Sequence, residues 1–189
     1  MTTWQGHGRN AGHNSDLGLV LVGLGGPADL PPLACVADRL AAVLGRRLLT
    51  LQAEAGTTQA LTTLHSQAGN GGGWLAALEV DAGRCLPEGD SWAEALGAWR
   101  QPTVLVIPAP QLDCGLAAAG TALLHQWRVP LLGLLQWEGP WQELDRRRDG
   151  LPWLGVLTQT GSSASLSQQQ ETQRLAMTLL RQERLLAHS

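Results

Sequence analysis

The fold turns on the segment Leu78-Glu79-Val80-Asp81-Ala82-Gly83-Arg84-Cys85-Leu86-Pro87, in which an apolar run ends on acidic residues and a turn of small residues follows. A second apolar run, residues 103–107, begins after a helical interlude. This alternation is typical of an α/β domain, where parallel strands bring their carboxyl ends to one ligand-binding edge of the sheet. Because Glu79 and Asp81 point to the same side of an extended segment, the pattern predicts that both carboxylates lie at that edge.

The same alternation continues along the chain in both directions. Short apolar runs predict strands at residues 17–22, 46–52, 74–79, 103–107, 129–135 and 153–157. Helical spacing predicts a helix from Asp29 or Pro31 to a stop at Gly45, and a last helix capped by Ser162 or Ser163. We therefore predict a doubly wound, mainly parallel sheet of about six strands with helices on both faces. Residues 17–189 form one domain in this prediction, behind a flexible leader, residues 1–16.

The composition argues against several classes of function. A net charge of −3 gives no basic footprint for nucleic acid, and no apolar run approaches the ~20 residues that span a bilayer, so neither partner is expected. The 3 cysteines are widely spaced and the N-terminus has no apolar signal core, which predicts reduced, buried thiols in a cytoplasmic protein. The 5 histidines lack metal-ligand spacing. All 13 basic residues are arginine, so no ammonium group on a flexible stem is available.

Four segments carry a family resemblance. Glu79, Gly83 and Pro87 have the spacing of a Glu-Gly-Ala-Gly-Gly-x-x-x-Pro turn. The segments Pro102-Thr103-Val104-Leu105-Val106-Ile107, Leu112-Asp113-Cys114 and Val129-Pro130-Leu131-Leu132-Gly133 follow in order. Together with the later segment from Leu151 to Leu157, they resemble dethiobiotin synthetase, the P-loop-type ligase that closes the ureido ring of biotin's precursor. The resemblance covers roughly half of the chain. It implies a P-loop NTPase-like fold, Mg²⁺ and ATP as cofactors, and a homodimer.

The amino-terminal half departs from that family at its phosphate loop. The family's Gly-Thr-x-Thr-x-x-Gly-Lys-Thr turn cradles phosphates with backbone amides, while its Lys reaches their oxygens and its Thr holds Mg²⁺. In the same register this chain has Asp29, Leu30 and Pro31 where Gly, Lys and Thr are expected. An acid at a helix N-terminus repels phosphate, and proline has no amide hydrogen. Gly23, Gly25 and Gly26, with Asp29 at the end of the turn, could still form a residual nucleotide- or phosphate-binding turn.

Further candidates follow from the resemblance and from residue type. Glu79 is expected to approach Mg²⁺ through water, and a solvated acid or a helix cap is the alternative for it. Asp81 could substitute as a metal-facing acid. The asparagine that the family places at the adenine base falls near Gln136 or Trp137. Trp137 and Trp141 could stack a base or contact a partner, although tryptophan ordinarily fills cores. The nearest arginines that could supply the positive charge of the family's lysine are Arg39, Arg46 and Arg47, and they lie at the far end of the first helix or beyond it.

Two functional hypotheses remain from these residues. The first is a dethiobiotin synthetase-like protein that has lost catalysis and acts as a binding or interaction protein, with at most residual nucleotide or anion affinity. The second is an ATP-dependent ligase that carboxylates and cyclises a 7,8-diaminononanoate-type diamine at an atypical phosphate site. A hydrolase using an acid from the Glu79/Asp113 edge has no specific support. Losing one preorganised donor typically costs about 10²–10³ in rate, and several are missing here, so the first hypothesis is favoured.

Overall fold

The computed structural model describes residues 17–69, 72–87, 89–159 and 166–188. Six strands lie within them: β1 Gly18–Gly23, β2 Arg47–Thr50, β3 Trp74–Asp81, β4 Thr103–Pro108, β5 Leu131–Trp137 and β6 Trp153–Leu157. They form one parallel sheet in the order β2-β3-β1-β4-β5-β6. The predicted fold class, an α/β doubly wound sheet, is confirmed, and the strand order is consistent with a P-loop-like fold. The predicted leader and the predicted caps at Ser162 and Ser163 lie outside the described residues.

Helices cover both faces of the sheet. They are α1 Leu33–Leu44, α2 Thr57–Ala68, α3 Trp92–Ala98, α4 Leu116–Gln126, α5 Glu143–Arg148 and α6 Leu166–Ala187, with single 3₁₀ turns at Ala53–Ala55 and Ala109–Gln111. One hydrophobic cluster joins the sheet to α2, α3 and α4, and the other joins it to α1 and α6. In β1, Val20 and Val22 enter the first cluster, while Leu19 and Leu21 enter the second. Burial on both faces is why the strands read as continuous apolar runs.

The beginning of α1 differs from the prediction. The helix begins at Leu33, and not at Asp29 or Pro31, with Pro32 in the N-cap position and no side-chain cap. The two consecutive prolines explain the shift, because a residue that precedes proline is disfavoured in the helical region. The predicted stop is confirmed: Gly45 has φ 64°, the left-handed conformation that ends many helices.

The cysteines are free, as predicted, but they are not buried. Cys85 and Cys114 are exposed and Cys35 is half-buried. The first two lie in the connections that follow β3 and β4, where the chain leaves the sheet and meets solvent. The prediction of buried thiols was therefore wrong. None of the helices in the described ranges is both long and apolar enough to cross a membrane.

The strand order creates a crevice at the carboxyl edge of the sheet. The connection from β1 to β2 runs through α1. The connection from β3 to β4 runs through α3 and goes in the opposite direction along the sheet. The two connections therefore leave the neighbouring strands β1 and β3 on opposite faces. In open α/β sheets, ligands bind where such a reversal opens the carboxyl ends of the strands.

Candidate functional site

A cleft of about 660 Å³ lies at this crevice. One wall is the β1–α1 loop, from Gly25 to Leu33, and the other is the end of β3 and its turn, from Glu79 to Arg84. The structure thus brings together Gly25, Gly26, Glu79 and Asp81, four of the residues singled out in the sequence. The cleft lies where the fold predicts a ligand.

The β1–α1 loop is held by contacts to two neighbouring strands. Gly23 ends β1, and its carbonyl oxygen accepts a hydrogen bond from the amide of Ala82, 3.2 Å away, in the turn after β3. A Cβ on Gly23 would lie 2.7 Å from Cδ of Pro31, so only glycine allows this close approach. From the far side, Gln111 Nε2 donates to the carbonyl oxygen of Asp29 at 2.6 Å. Gln111 follows β4, and no local sequence pattern indicates its role.

The loop uses its own amides internally. The amides of Asp29 and Leu30 both donate to the carbonyl oxygen of Gly26, at 2.9 and 3.0 Å, and the amide of Leu33 donates to that of Pro31 at 2.7 Å. Residues 27, 31 and 32 are prolines and have no amide hydrogen. Across residues 27–33, Ala28 is therefore the exception that keeps an amide hydrogen without a backbone acceptor. A phosphate cradle needs several amides that converge on one anion, and residues 27–33 offer only that of Ala28. The amides of Gly25 and Gly26, just before this segment, also have no backbone acceptor among the described residues.

Asp29 has a different position from the one that the sequence predicted. It is exposed, it does not line the cleft, and it precedes α1 by four residues instead of occupying the helix N-terminus. The predicted position of this acid at the helix N-terminus is therefore wrong, although its Oδ2 lies 3.4 Å from the position of a Cβ on Gly26. The prolines and the internal hydrogen bonds of residues 29–33 reduce the number of amides that could bind phosphate.

The β3 wall of the cleft is charged. Glu79 is exposed, and Asp81 is half-buried, with Oδ1 accepting a hydrogen bond from the amide of Gly83 at 2.8 Å. Arg84, also exposed, lines the same wall. The sequence interpretation missed Arg84, because it considered only arginines on the first helix or beyond it. The position of Arg84 in the turn directly after Glu79 and Asp81 could have indicated that it lines the same site. Within the described residues, Arg84 forms no ion pair with either acid.

The acids could hold Mg²⁺ only with help from a ligand. No group of three or more histidine, cysteine, aspartate or glutamate side chains in the described ranges is arranged to hold a metal ion. Glu79 and Asp81 would thus supply two carboxylates, which is a normal protein share for Mg²⁺ when phosphate oxygens and waters complete the octahedron. The donor set fits the metal, whereas residues 27–33 of the loop opposite supply few of the amides that a phosphate cradle would need.

The residues predicted near a nucleobase lie away from the cleft, beyond β4. Gln136 is fully buried at the end of β5, and its Nε2 donates to the carbonyl oxygens of Glu138 and Pro140 at 2.9 and 3.1 Å. Trp137 is only 5% exposed and belongs to the core shared with α1 and α6, so it offers no free ring face. Trp141 is half-buried against Trp153 in an edge-to-face contact with 6.3 Å between ring centroids. None of the three predicted residues lines the cleft.

Two of the arginines considered as cation candidates, Arg46 and Arg47, make contacts within the fold and away from the cleft. Arg46 forms a paired contact with Glu183 of α6, with both N–O distances 2.6 Å and with 4% and 0% of the two side chains exposed. Arg47 donates to the carbonyl oxygen of Ala68 at 2.7 Å. Both lie at the amino end of β2, at the opposite edge of the sheet from the cleft. They do not compensate for the missing lysine.

Comparisons with known proteins do not add a family. No protein-family model matches the chain, and no curated protein matches it.

Proposed function

We propose that this chain is a dethiobiotin synthetase-like protein without catalytic competence, which binds a small ligand in the cleft between the β1–α1 loop and the end of β3. The observation that carries the proposal is the loop itself. Its prolines, and the internally bonded amides of residues 29–33, leave few donors for a triphosphate, while the carboxylates of Glu79 and Asp81 remain on the facing wall. Affinity for nucleotides or anions is at most residual. The free thiols support the cytoplasm as its location.

The cleft favours a ligand with a positive charge and an apolar part. Glu79 and Asp81 provide two negative charges against one positive charge from Arg84. Pro27, Leu30 and other apolar side chains of the loop form the wall that faces them. A cationic group would be attracted to the acids, and burial of an apolar segment against the loop would add to the affinity.

A second candidate function is the ATP-dependent ligase, and one observation favours it. Arg84 places a guanidinium in the cleft, beside the two acids that could share Mg²⁺. Arginine binds phosphate well, so this residue could supply part of the charge that the family draws from lysine. In that case Arg84 and Mg²⁺ would hold ATP, and a diamine would be carboxylated and cyclised in the same cleft.

Thermal unfolding with separate ligands distinguishes the two. A ligand present at 100 times its dissociation constant adds about 2.7 kcal/mol, which raises the Tm of a chain of this size by roughly 5–11 °C. We expect no shift with Mg-ATP, and a shift with 7,8-diaminononanoate that is lost in Glu79→Gln/Asp81→Asn. The control variant Asp113→Asn removes an exposed acid of the same edge outside the cleft and should keep the shift.

Phosphate release completes the test. Diamine, bicarbonate and Mg-ATP are incubated with the protein, and phosphate is measured over time. A Tm shift with Mg-ATP together with phosphate release, both lost in Arg84→Gln, would overturn the proposal in favour of the ligase. The absence of a shift with either ligand would contradict a binding role for this cleft.

A further inference from the structure

The solvent-facing side of α6 carries a row of arginines. Leu175, Leu179 and Glu183 are fully buried and mark the face of the helix that packs on the sheet and on α1. The opposite face is exposed at each of three arginines: Arg174, Arg181 and Arg184. The ten-residue separation between the first and the last corresponds to about 15 Å at the 1.5 Å rise of an α-helix.

Among the described residues, no acidic side chain forms an ion pair with these three arginines. The ion pairs of the described residues are Arg46–Glu183, Arg146–Asp149 and Arg147–Glu143, so the arginines of the row take part in none. The acids of α6 lie off the exposed face: Glu171 is half-buried, and Glu183 is buried against Arg46. Like charges three residues apart on a helix, such as Arg181 and Arg184, destabilise it slightly. A row of this kind on a chain with net charge −3 is a local exception.

The row is combined with an exposed apolar side chain. Met177, 67% exposed, lies between the first and second arginines along the helix. Gln170, Gln173 and Arg174 adjoin it on its N-terminal side, and Arg181 and Arg184 adjoin it on its C-terminal side. An elongated partner could therefore contact Met177 at its centre and the arginines at both ends.

We infer that this face of α6 binds an acidic, amphipathic peptide segment of another protein. Its carboxylates meet the three arginines, and an apolar side chain of the segment covers Met177. A symmetric contact with a second copy is disfavoured, because it would bring the same arginines together around Met177. The net charge of −3 opposes a nucleic acid, and the buried leucines of α6 are already used against the sheet, so they do not serve a membrane surface.

Fluorescence anisotropy with the full chain tests this. The probe is a fluorescein-labelled peptide that repeats the heptad Glu-Ala-Leu-Glu-Gln-Leu-Glu three times. Exposed ion pairs contribute about 0.2–1 kcal/mol each. The triple variant R174Q/R181Q/R184Q should therefore bind about tenfold more weakly than the parent chain, which equals about 1.4 kcal/mol. The matched variant R100Q/R128Q/R148Q removes the same charge from exposed positions elsewhere and should change the affinity less than about twofold, because separated surface charges are screened.

Far-UV circular dichroism and the Tm establish that each variant is folded. Met177→Ala, which leaves every charge in place, should also weaken binding if the peptide covers that side chain. The inference is overturned if the parent chain does not bind the probe, if both triple variants lose affinity equally, or if polyglutamate binds as well as the amphipathic peptide. Tighter binding of heparin or of vesicles rich in anionic lipid would likewise reject an acidic peptide as the partner.

Discussion

Removing the charge of Glu183 should strongly destabilise the protein. Its two carboxylate oxygens contact Nη1 and Nη2 of Arg46 at 2.6 Å, and the side chains are 0% and 4% exposed. In Glu183→Gln the guanidinium of Arg46 stays buried and loses the carboxylate of Glu183. Breaking such a pair costs about 3–5 kcal/mol, because the remaining charge keeps its desolvation penalty and loses this attraction. For a chain of this length that loss corresponds to a fall in Tm of roughly 6–20 °C.

The chain contains a matched control for this experiment. Arg147 and Glu143 form an ion pair on α5 whose side chains are 74% and 58% exposed. Because water solvates both partners, Glu143→Gln should cost less than about 1 kcal/mol. Urea unfolding followed by tryptophan fluorescence measures both losses, provided that the m-value does not change between variants. A loss below about 1 kcal/mol for Glu183→Gln, or equal losses in the two variants, would refute the burial-based magnitude, which rests on the cost of an unpaired buried charge.

Replacing both partners separates the cost of an orphaned charge from the net contribution of the pair. In Arg46→Met/Glu183→Leu neither charge remains, so most of the stability lost in Glu183→Gln should return. If the double variant is less stable than Glu183→Gln, then the pair itself, and not the orphaned guanidinium, supplies the stability. The pair lies at the amino edge of the sheet, so ligand binding in the cleft should be unchanged in every variant that is folded.

Two further predictions concern packing and exposure. A Cβ on Gly97 would lie 1.9 Å from the backbone oxygen of Trp127, so Gly97→Ser should lower the free energy of unfolding by about 1–3 kcal/mol. Gly115→Ser, where nothing lies within 4 Å and where serine can cap α4, should leave the stability unchanged or raise it; equal losses in urea unfolding would contradict the clash. Cys85 and Cys114 are exposed, so titration of the native protein with Ellman's reagent should show two rapidly reacting thiols and a slower third. One rapid thiol or none would show that the turns after β3 and β4 are covered.

The sequence predicted the sheet well because parallel strands in this fold carry their signal locally. A strand buried on both faces needs an uninterrupted apolar run, and residues 103–107 and 153–157 are such runs in β4 and β6. Glu79 and Asp81 could be placed at the carboxyl edge for the same reason, because they end the apolar run of β3. Where one residue's position depends on the sequence immediately around it, prediction from composition and periodicity succeeds.

The site details failed where they depend on distant contacts. Gln111 holds the β1–α1 loop through a hydrogen bond to Asp29, which lies 82 positions earlier in the chain. No local sequence pattern predicts a contact between residues so far apart. Trp137 alternates with Gln136 along β5, and the packing of α1 and α6 decides that its ring is enclosed in the core. Arg84 was within reach of the sequence, because it lies in the same turn as the acids.

The β1–α1 loop shows how the fold can keep a ligand site while its chemistry changes. The crevice between β1 and β3 follows from strand order alone, so it persists whatever residues line it. A phosphate cradle, in contrast, requires free amides, and here Pro31 is buried against Gly23, with its ring 2.7 Å from the position of a Cβ there. Proline in this position is therefore part of the packing of the loop, not a surface substitution. The packing that stabilises the loop therefore also removes amide donors from it, which is why we propose a different ligand for the same crevice.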